Sequence, residues 1–327
     1  MDRAPFSPLR GTSFPALGEG RAPTAENGPG MELRAAVILA TRDRASSLER
    51  TLETLRRQEL PGDWAVEAVV VDDGSQDRTA GVLDAFEARP GPFRVVRLRT
   101  GGVGKSAALN AAMARTEAPV LAFTDDDMDH DPGWLRALVA HLETCDCVGV
   151  HGRIEVTFPA GRPSWMTPRA EVLLGASHEA PRPDGSVRHL SGGNMAVRRE
   201  AARAAGPFRE DMGPRGRRAG YSEDVEWSLR VGRRGRLCYG PEALNFHCIP
   251  PGRARQDYLF RRQYDYVRTE WSLRMQRGEL ARGRELVSEF RGLLGALLRR
   301  RRRFQGFDYG LELAARLGRL AALLGRP

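Results

Sequence analysis

A doubly wound, mostly parallel α/β sheet followed by a helical C-terminal extension is the architecture this sequence predicts, and three features carry that reading. Short β-branched or apolar runs alternate with helical patterns through the first half, the signature of a parallel sheet. Two of those runs end in clustered carboxylates, Val69-Val70-Val71-Asp72-Asp73-Gly74-Ser75 and Phe123-Thr124-Asp125-Asp126-Asp127. Beyond residue 250, apolar residues recur at helical spacing in a basic segment. Open α/β sheets place their ligand crevice at the carboxyl ends of strands, where both acidic clusters lie. A buried strand needs no acid at its tip, and clustered carboxylates repel, shift one another's pKa and destabilise the fold unless a cation or donor offsets them. A metal and a nucleotide would supply that offset.

Ala35 to Ala40 forms the first strand, Ala65 to Val71 the second, Phe93 to Leu98 the third and Val120 to Phe123 the fourth. The amphipathic segments Ser46 to Glu59, Arg78 to Ala88 and Lys105 to Arg115 lie between them. Asp131-Pro132 reads as an N-cap with proline at the first helical position, opening a helix to about His141. Gly192-Gly193, before Asn194-Met195-Ala196-Val197, permits close approach of the backbone to a ligand or marks an ordinary turn into a strand. Ser222 stands where it would cap a helix whose first turn carries Glu223 and Asp224, acids that favour its positive end. Ala243 to Phe246 is strand-like and leads into His247, which at a strand end reads first as structural.

At 327 residues and 41% hydrophobic content the chain can bury one large core plus an appendage. Residues 1–30 are rich in Pro and Gly, lack a charged region followed by an apolar run, and are expected to be a disordered tail rather than a signal peptide. There is no run of about eighteen uninterrupted apolar residues, which argues against a membrane span. Four cysteines, Cys145, Cys147, Cys238 and Cys248, fit a reduced cytosolic protein better than a disulfide scaffold, and Cys145-x-Cys147 lacks the second pair a zinc site needs. The expected compartment is the cytoplasm.

Charge is uneven: residues 251–327 hold 18 arginines against 8 acids, and the rest of the chain 33 basic residues against 34 acids. Lys105 is the single lysine, so the abundance of arginine reads as compositional bias. A lysine kept within Gly101-Gly102-Val103-Gly104-Lys105-Ser106 points to a phosphate or base contact through a compact point charge, with a surface lysine as the alternative. The stretch is not a P-loop, because it lacks the four-residue spacer that precedes Gly-Lys-Ser.

Six segments together resemble family 2 glycosyltransferases, which have the Rossmann-like GT-A fold. They are Ile38-Leu39-Ala40-Thr41-Arg42, the Val-Asp-Asp-Gly-Ser run, the Gly-rich stretch leading to Asn110, the Asp-Asp-Asp, Gly192-Gly193-Asn194, and Ser222-Glu223-Asp224-Val225-Glu226-Trp227, in the order that family uses. The resemblance runs from about Val37 to His247. It implies a nucleotide-diphosphate sugar donor and an inverting single displacement onto an acceptor hydroxyl, in polysaccharide, glycolipid or glycoconjugate synthesis at the cell envelope. By this likeness Asp73 accepts hydrogen bonds from the base, and Thr41 and Arg42 line the same pocket. Lys105, Asp125, Asp126, Gly193 and Asn194 contact the donor. Asp127 is the direct metal ligand of the D-x-D pattern, Asp125 stands nearer the ribose or the metal's outer shell, and His247 is a third ligand. Asp224 is the general base, with Glu223 holding it or touching the acceptor. The metal is a hard divalent ion, Mg²⁺ or Mn²⁺, between which the sequence does not choose.

The domain reading follows. Residues 31–250 form a catalytic domain, with a nucleotide-binding half at 31–127 and an acceptor half at 128–250, and residues 251–327 form a basic amphipathic helical extension. In the extension Leu286, Val287, Phe290, Leu293, Leu294, Leu297 and Leu298 make one stripe, which ends in Arg299 to Arg303, and Leu313, Leu317, Leu320 and Leu324 make a second. These helices pack on the catalytic domain, form a dimer through 284–324, or lie on the inner face of an anionic membrane, which would suit a lipid-linked acceptor. Nucleic acid is not expected, since the segment shows no binding module and few aromatics. Arg209 to Gly220 is expected to be a mobile loop that orders over the site. Two alternatives stay open: a sugar-phosphate nucleotidyltransferase, whose Gly-rich basic triphosphate signature is missing near the first strand, and a non-catalytic sugar-nucleotide-binding protein.

Overall fold

The computed structural model describes residues 32–177, 182, 184–214, 222–299 and 307–325, with side chains omitted at 297–299. The N-terminal tail, the second half of Arg209 to Gly220, the Leu297 and Leu298 side chains and the arginine run beyond Arg299 lie outside the described residues.

In chain order the elements are β1 (Glu32–Thr41), α1 (Ala45–Arg56), β2 (Trp64–Asp72), α2 (Thr79–Glu87), β3 (Arg94–Arg99), α3 (Lys105–Arg115), β4 (Val120–Thr124) and β5 (Met128–His130). They continue with α4 (Trp134–Thr144), β6 (Gly149–Thr157), α5 (Pro168–Leu173), β7 (Asn194–Arg198), α6 (Arg199–Ala205), α7 (Glu223–Val231), β8 (Leu237–Cys248), α8 (Gln256–Gln276), α9 (Arg282–Arg299) and α10 (Phe307–Leu324). The strands form one sheet in the order β3-β2-β1-β4-β7-β6-β8-β5. Pairing is parallel for β2/β3, β1/β2, β1/β4 and β6/β8, and antiparallel for β4/β7, β6/β7 and β5/β8.

Why β1 and β2 form is plain from their composition: Ala35 to Leu39 and Ala68 to Val71 are fully buried, as strands covered on both faces require. On one face Leu48, Leu52 and Leu55 of α1 join Trp134, Leu138 and Leu142 of α4, and on the other Leu109 of α3 joins Phe208 and Trp227. Strand order reverses between β1 and β4, so the crevice of this sheet opens beyond Thr41 and Thr124. Register sharpens the point, because Thr41 pairs with Asp72, Thr124 with Asn194 and Met128 with His247, bringing both acidic clusters and the histidine to one end of the sheet.

Two local expectations need correction. The helix after the triple aspartate begins at Trp134 rather than Pro132, because the Asp131 carboxylate accepts from the Gly133 N–H and its carbonyl from the Trp134 N–H, a turn that uses those groups before the helix starts. Ser222 does precede α7, yet it is left-handed (φ 69°) and its hydroxyl caps nothing.

The C-terminal helices pack on the rest of the chain through α8 and α10. Leu259, Phe307 and Leu311 close on Met166, Leu174 and Ile249. The buried residues of α10 include Leu311, Ala314, Ala315, Gly318, Leu320, Ala322 and Leu323; of the expected leucine stripe Leu320 is buried, whereas Leu317 and Leu324 are exposed. Small residues win because the backbones meet: a Cβ at Gly318 would lie 2.5 Å from the Tyr264 carbonyl oxygen of α8. In α9 the expected stripe leaves Val287, Phe290 and Leu294 exposed. Among the described residues no helix is long and apolar enough to cross a membrane, and the four cysteines are free.

Candidate active site

The turn from β4 to β5 holds Asp125, Asp126 and Asp127, the last two buried. Asp126 accepts from the Thr41 hydroxyl at 2.7 Å and from Arg44 Nη1 at 2.5 Å, while Arg44 Nη2 donates to Asp127 Oδ2 at 2.6 Å. Arg253 Nη1 donates to the same Oδ2 at 2.9 Å, and His247 Nε2 lies 3.2 Å from it. Burial pushes the Asp126 carboxyl up to about 6, against the pull of Arg44 and with the added repulsion of Asp127. Burial would raise Asp127 too, but His247, Arg44 and Arg253 outweigh it and hold that carboxyl well below the usual range. Arg44 in turn keeps its proton more tightly than an ordinary arginine, since Asp126 and Asp127 overcome the burial that would loosen it.

The histidine is oriented from behind. His247 Nδ1 lies 2.6 Å from the Leu174 carbonyl oxygen, which can only accept, so Nδ1 carries a hydrogen and Nε2 is the nitrogen turned toward Asp127. Gly175, at φ 101°, lets the chain pass under that ring, since a Cβ there would be 3.3 Å from Nδ1. Nε2 is buried and makes no hydrogen bond, its distance from Asp127 notwithstanding. A neutral ring there would set a lone pair against the carboxylate, which a cation between them, a proton or a metal ion, relieves. The residues present therefore fit a divalent ion held by Asp127 and His247. Among the described residues no three acidic, histidine or cysteine side chains form a ready cage, so further ligands would have to come from outside the protein.

Next to this turn, Lys105 at the start of α3 reaches Asp125 at 2.6 Å and Glu223 at 3.5 Å. Burial opposes its charge, but Asp125 and Glu223 prevail and raise its pKa. Burial also pushes the Glu223 carboxyl up to about 7, Lys105 opposing and Asp224 reinforcing. Asp224 accepts from the Gly192 N–H through Oδ2 and from the Val225 N–H through Oδ1, both at 2.8 Å. Position 192 is close-packed: a Cβ there would be 3.0 Å from that of Asp224 and 3.1 Å from its Oδ2. One small cavity is lined by Lys105, Asp125, Gly192, Glu223 and Asp224 together. Gly193 sits at the same place, its carbonyl accepting from Thr124 and Asn245 and its Cα against Met128.

At the far end, Asp73 pins the Gly-rich stretch: it accepts from the Thr100 hydroxyl and from the N–H groups of Val103 and Gly104. Arg42 Nη1 is 4.0 Å from Asp73 and lies over Gly102, where a Cβ would be 2.7 Å from it.

Thr41 and Asn194, both expected at the donor, are engaged within the framework, as Asp73 and Asp126 are. Thr41 is buried and gives its hydroxyl to Asp126. Asn194 is fully buried; its Oδ1 accepts from Trp134 Nε1 at 2.7 Å, and its Nδ2 donates to the carbonyls of Arg153 and Ala243. Arg44 and Arg253 were not anticipated. Arg44 stands two residues beyond the recognised Thr41-Arg42 and carried a readable signal, a second arginine at the strand tip, whereas nothing distinguished Arg253 from the other arginines of the C-terminal segment.

Comparison with known proteins accords with this geometry. Residues 36–206 match the family model for glycosyl transferase family 2. A β-monoglucosyldiacylglycerol synthase of Synechocystis sp. is 27% identical over 197 residues, covering 60% of this chain and 39% of the relative. The pre-mycofactocin glycosyltransferase of Mycobacterium tuberculosis is 27% identical over 222 residues, covering 64% and 42%. The chain thus matches about two fifths of the length of these curated relatives. The mannosyltransferase PcManGT of Pyrobaculum calidifontis, in complex with GDP-Man and Mn²⁺, shares the fold with a TM-score of 0.61 at 17% identity, over 90% of this chain and 88% of that one. S. aureus TarS 1–349 in complex with UDP-GlcNAc gives 0.53 at 14%, over 90% and 93%. The sheet described above is therefore the GT-A fold. With the family model spanning 171 of 327 residues, from within β1 to the end of α6, the chain belongs to glycosyl transferase family 2.

Proposed function

We propose that this chain moves a sugar from a nucleotide-diphosphate sugar to an acceptor hydroxyl by a single inverting displacement assisted by a divalent metal. One observation carries the reading: Asp224, the carboxylate in the position of the family's base, and Asp125, from the D-x-D turn, face one cavity, with Lys105 bridging Asp125 to Glu223. Asp224 takes the proton of the acceptor hydroxyl, and the N–H groups of Gly192 and Val225 fix the direction in which its carboxylate points. Glu223, its carboxyl raised by burial, lies 3.5 Å from Lys105 and positions it. Asp127 and His247 hold the metal, Mg²⁺ or Mn²⁺, and Asp125 stands toward the ribose or the metal's outer shell. When bound, the ion neutralises charge developing on the departing diphosphate. Asp73 and Arg42 form the base end of the pocket. The nucleotide-sugar donor is carried over from neighbours solved with GDP-Man or UDP-GlcNAc.

Val287, Phe290 and Leu294 are exposed on α9, and we infer peripheral contact there with a lipid-linked acceptor, in glycolipid, polysaccharide or glycoconjugate synthesis.

The test is donor turnover across UDP-, GDP- and dTDP-sugars with Mn²⁺, Mg²⁺ or EDTA. Metal-dependent release of nucleoside diphosphate from one donor, with an inverted anomer in the product, is expected. Pyrophosphate release, or binding without turnover under every condition, would overturn the reading.

A further inference from the structure

Asp127 Oδ2 is crowded by positive charge, and the two arginines that reach it differ in kind. Arg44 spans Asp126 and Asp127 with one nitrogen on each, a two-carboxylate clamp fixed by its own geometry. Arg253 touches Asp127 through Nη1 alone, and among the described residues that is its guanidinium's one hydrogen bond. Its side chain is 33% exposed, and it stands on the irregular turn between β8 and α8, where its N–H and that of Ala254 both bond to the Pro250 carbonyl. That turn begins three residues after His247. A divalent ion between His247 Nε2 and Asp127 would meet the Arg253 guanidinium at the same oxygen, and two cations sharing one carboxylate oxygen repel. Arg44 keeps Asp126 as a partner when that happens, whereas Arg253 keeps none. An anion brought to the metal, the diphosphate, is the nearest new partner for a guanidinium on a short turn beside it, and its oxygens suit the planar fork.

We propose that Arg253 is a displaceable counter-cation, neutralising Asp127 in the metal-free cleft and moving onto the nucleotide's diphosphate when the metal arrives. It rests on the metal and donor reading above. Metal and nucleoside diphosphate then favour each other's binding, since each compensates for what the other displaces.

The test uses calorimetry and Mn²⁺ paramagnetic resonance on the whole chain, with Arg253→Met and Arg253→Lys and with UDP and GDP as probes. Mn²⁺ alone should bind Arg253→Met about 10-fold tighter than wild type, while the nucleoside diphosphate at saturating Mn²⁺ should bind it about 10-fold more weakly, the scale of ordinary coupling between sites. Arg253→Lys should fall between on both measures. Opposite signs are the signature that a merely structural arginine would not give. If Arg253→Met weakens both affinities, or leaves Mn²⁺ binding unchanged, the counter-cation role is wrong while the donor reading stands. If wild type binds neither diphosphate with Mn²⁺, both readings fall together.

Discussion

His247 directs Nε2 at Asp127 Oδ2 from 3.2 Å while its Nδ1 is tied to the Leu174 carbonyl at 2.6 Å. A backbone carbonyl that holds Nδ1–H fixes the ring and leaves Nε2 as the nitrogen a metal ion would take. Removing the ring should therefore cost metal rather than fold. His247→Ala is expected to weaken Mn²⁺ binding in the presence of nucleoside diphosphate by roughly 10- to 100-fold, as loss of metal-orienting partners does. Free Mn²⁺ followed by paramagnetic resonance checks it, and an unchanged affinity would remove His247 from the ligand set.

Asn194 predicts the reverse pattern. Its amide joins Trp134 of α4 to the carbonyls of Arg153 and Ala243 on β6 and β8, all behind the cleft. Asn194→Ala leaves those groups without partners, at about 1–3 kcal/mol for each buried group left unsatisfied. A fall of several kcal/mol in unfolding free energy is expected from urea titration. Where the variant stays folded, nucleotide affinity should change little; a large loss of affinity with stability intact would return Asn194 to the donor site.

The contrast between these two residues shows what the sequence could and could not disclose. Strand ends with acids, the reversal of strand order and the general place of the cleft were legible, because burial on both faces makes β1, β2 and β4 read as apolar runs. A motif letter does not reveal which way its side chain turns. Asn194 opens β7, where successive residues face opposite sides of the sheet, so the shift from Gly193 to Asn194 takes the chain from cleft to core. Arg253 was hidden by composition. On α10 leucine spacing places Leu320 inside but Leu317 and Leu324 wrongly, because it carries no sign of the close backbone approach that Gly318 permits.

Two buried histidines make an acid-sensitivity that can be isolated. Burial drives His130 down to about 3; burial, with His189 nearby, drives His151 down to about 4. Unfolded, each titrates near 6.5, so on acidification the unfolded chain takes up protons that the native state refuses, and stability falls. Asp126 and Glu223, raised to about 6 and 7, act oppositely and mask the slope in wild type. The difference between wild type and His151→Gln removes that masking. It should change by about 1.4 kcal/mol per pH unit between about pH 6 and 4.5, the variant gaining on wild type as pH falls. A difference independent of pH would reject a neutral buried His151.

Asp224 separates chemistry from binding. Asp224→Asn preserves shape but sets an amide N–H against one of the two N–H groups, of Gly192 and Val225, that now donate to the carboxylate. Turnover should drop by roughly 10²- to 10⁴-fold, the usual worth of a general base, with donor affinity within a few fold of wild type. Single-turnover kinetics beside calorimetry decide it. Near-normal turnover would move the base elsewhere, Glu223 being the next carboxylate on the cavity.

The outer face of α9 makes the last expectation. Its inner side is fastened to α10, where Glu289 meets Arg316 at 3.2 Å and Arg319 at 2.9 Å. Val287, Phe290 and Leu294, at i, i+3 and i+7, are 52%, 54% and 59% exposed on the other side. Arg284 and Arg291 are exposed one turn either way from Val287, so the apolar strip has a cationic border. Insertion of such a strip into an anionic interface gains from apolar burial and from about 1 kcal/mol for each basic residue near the surface. Co-sedimentation with vesicles containing phosphatidylglycerol should be strong at low salt, weak with neutral vesicles, and lost in the triple variant Val287→Ser, Phe290→Ser, Leu294→Ser. If the triple variant instead abolishes a dimer seen by sedimentation velocity and vesicle binding is absent throughout, a second copy of the chain covers this face and the acceptor need not be lipid-linked.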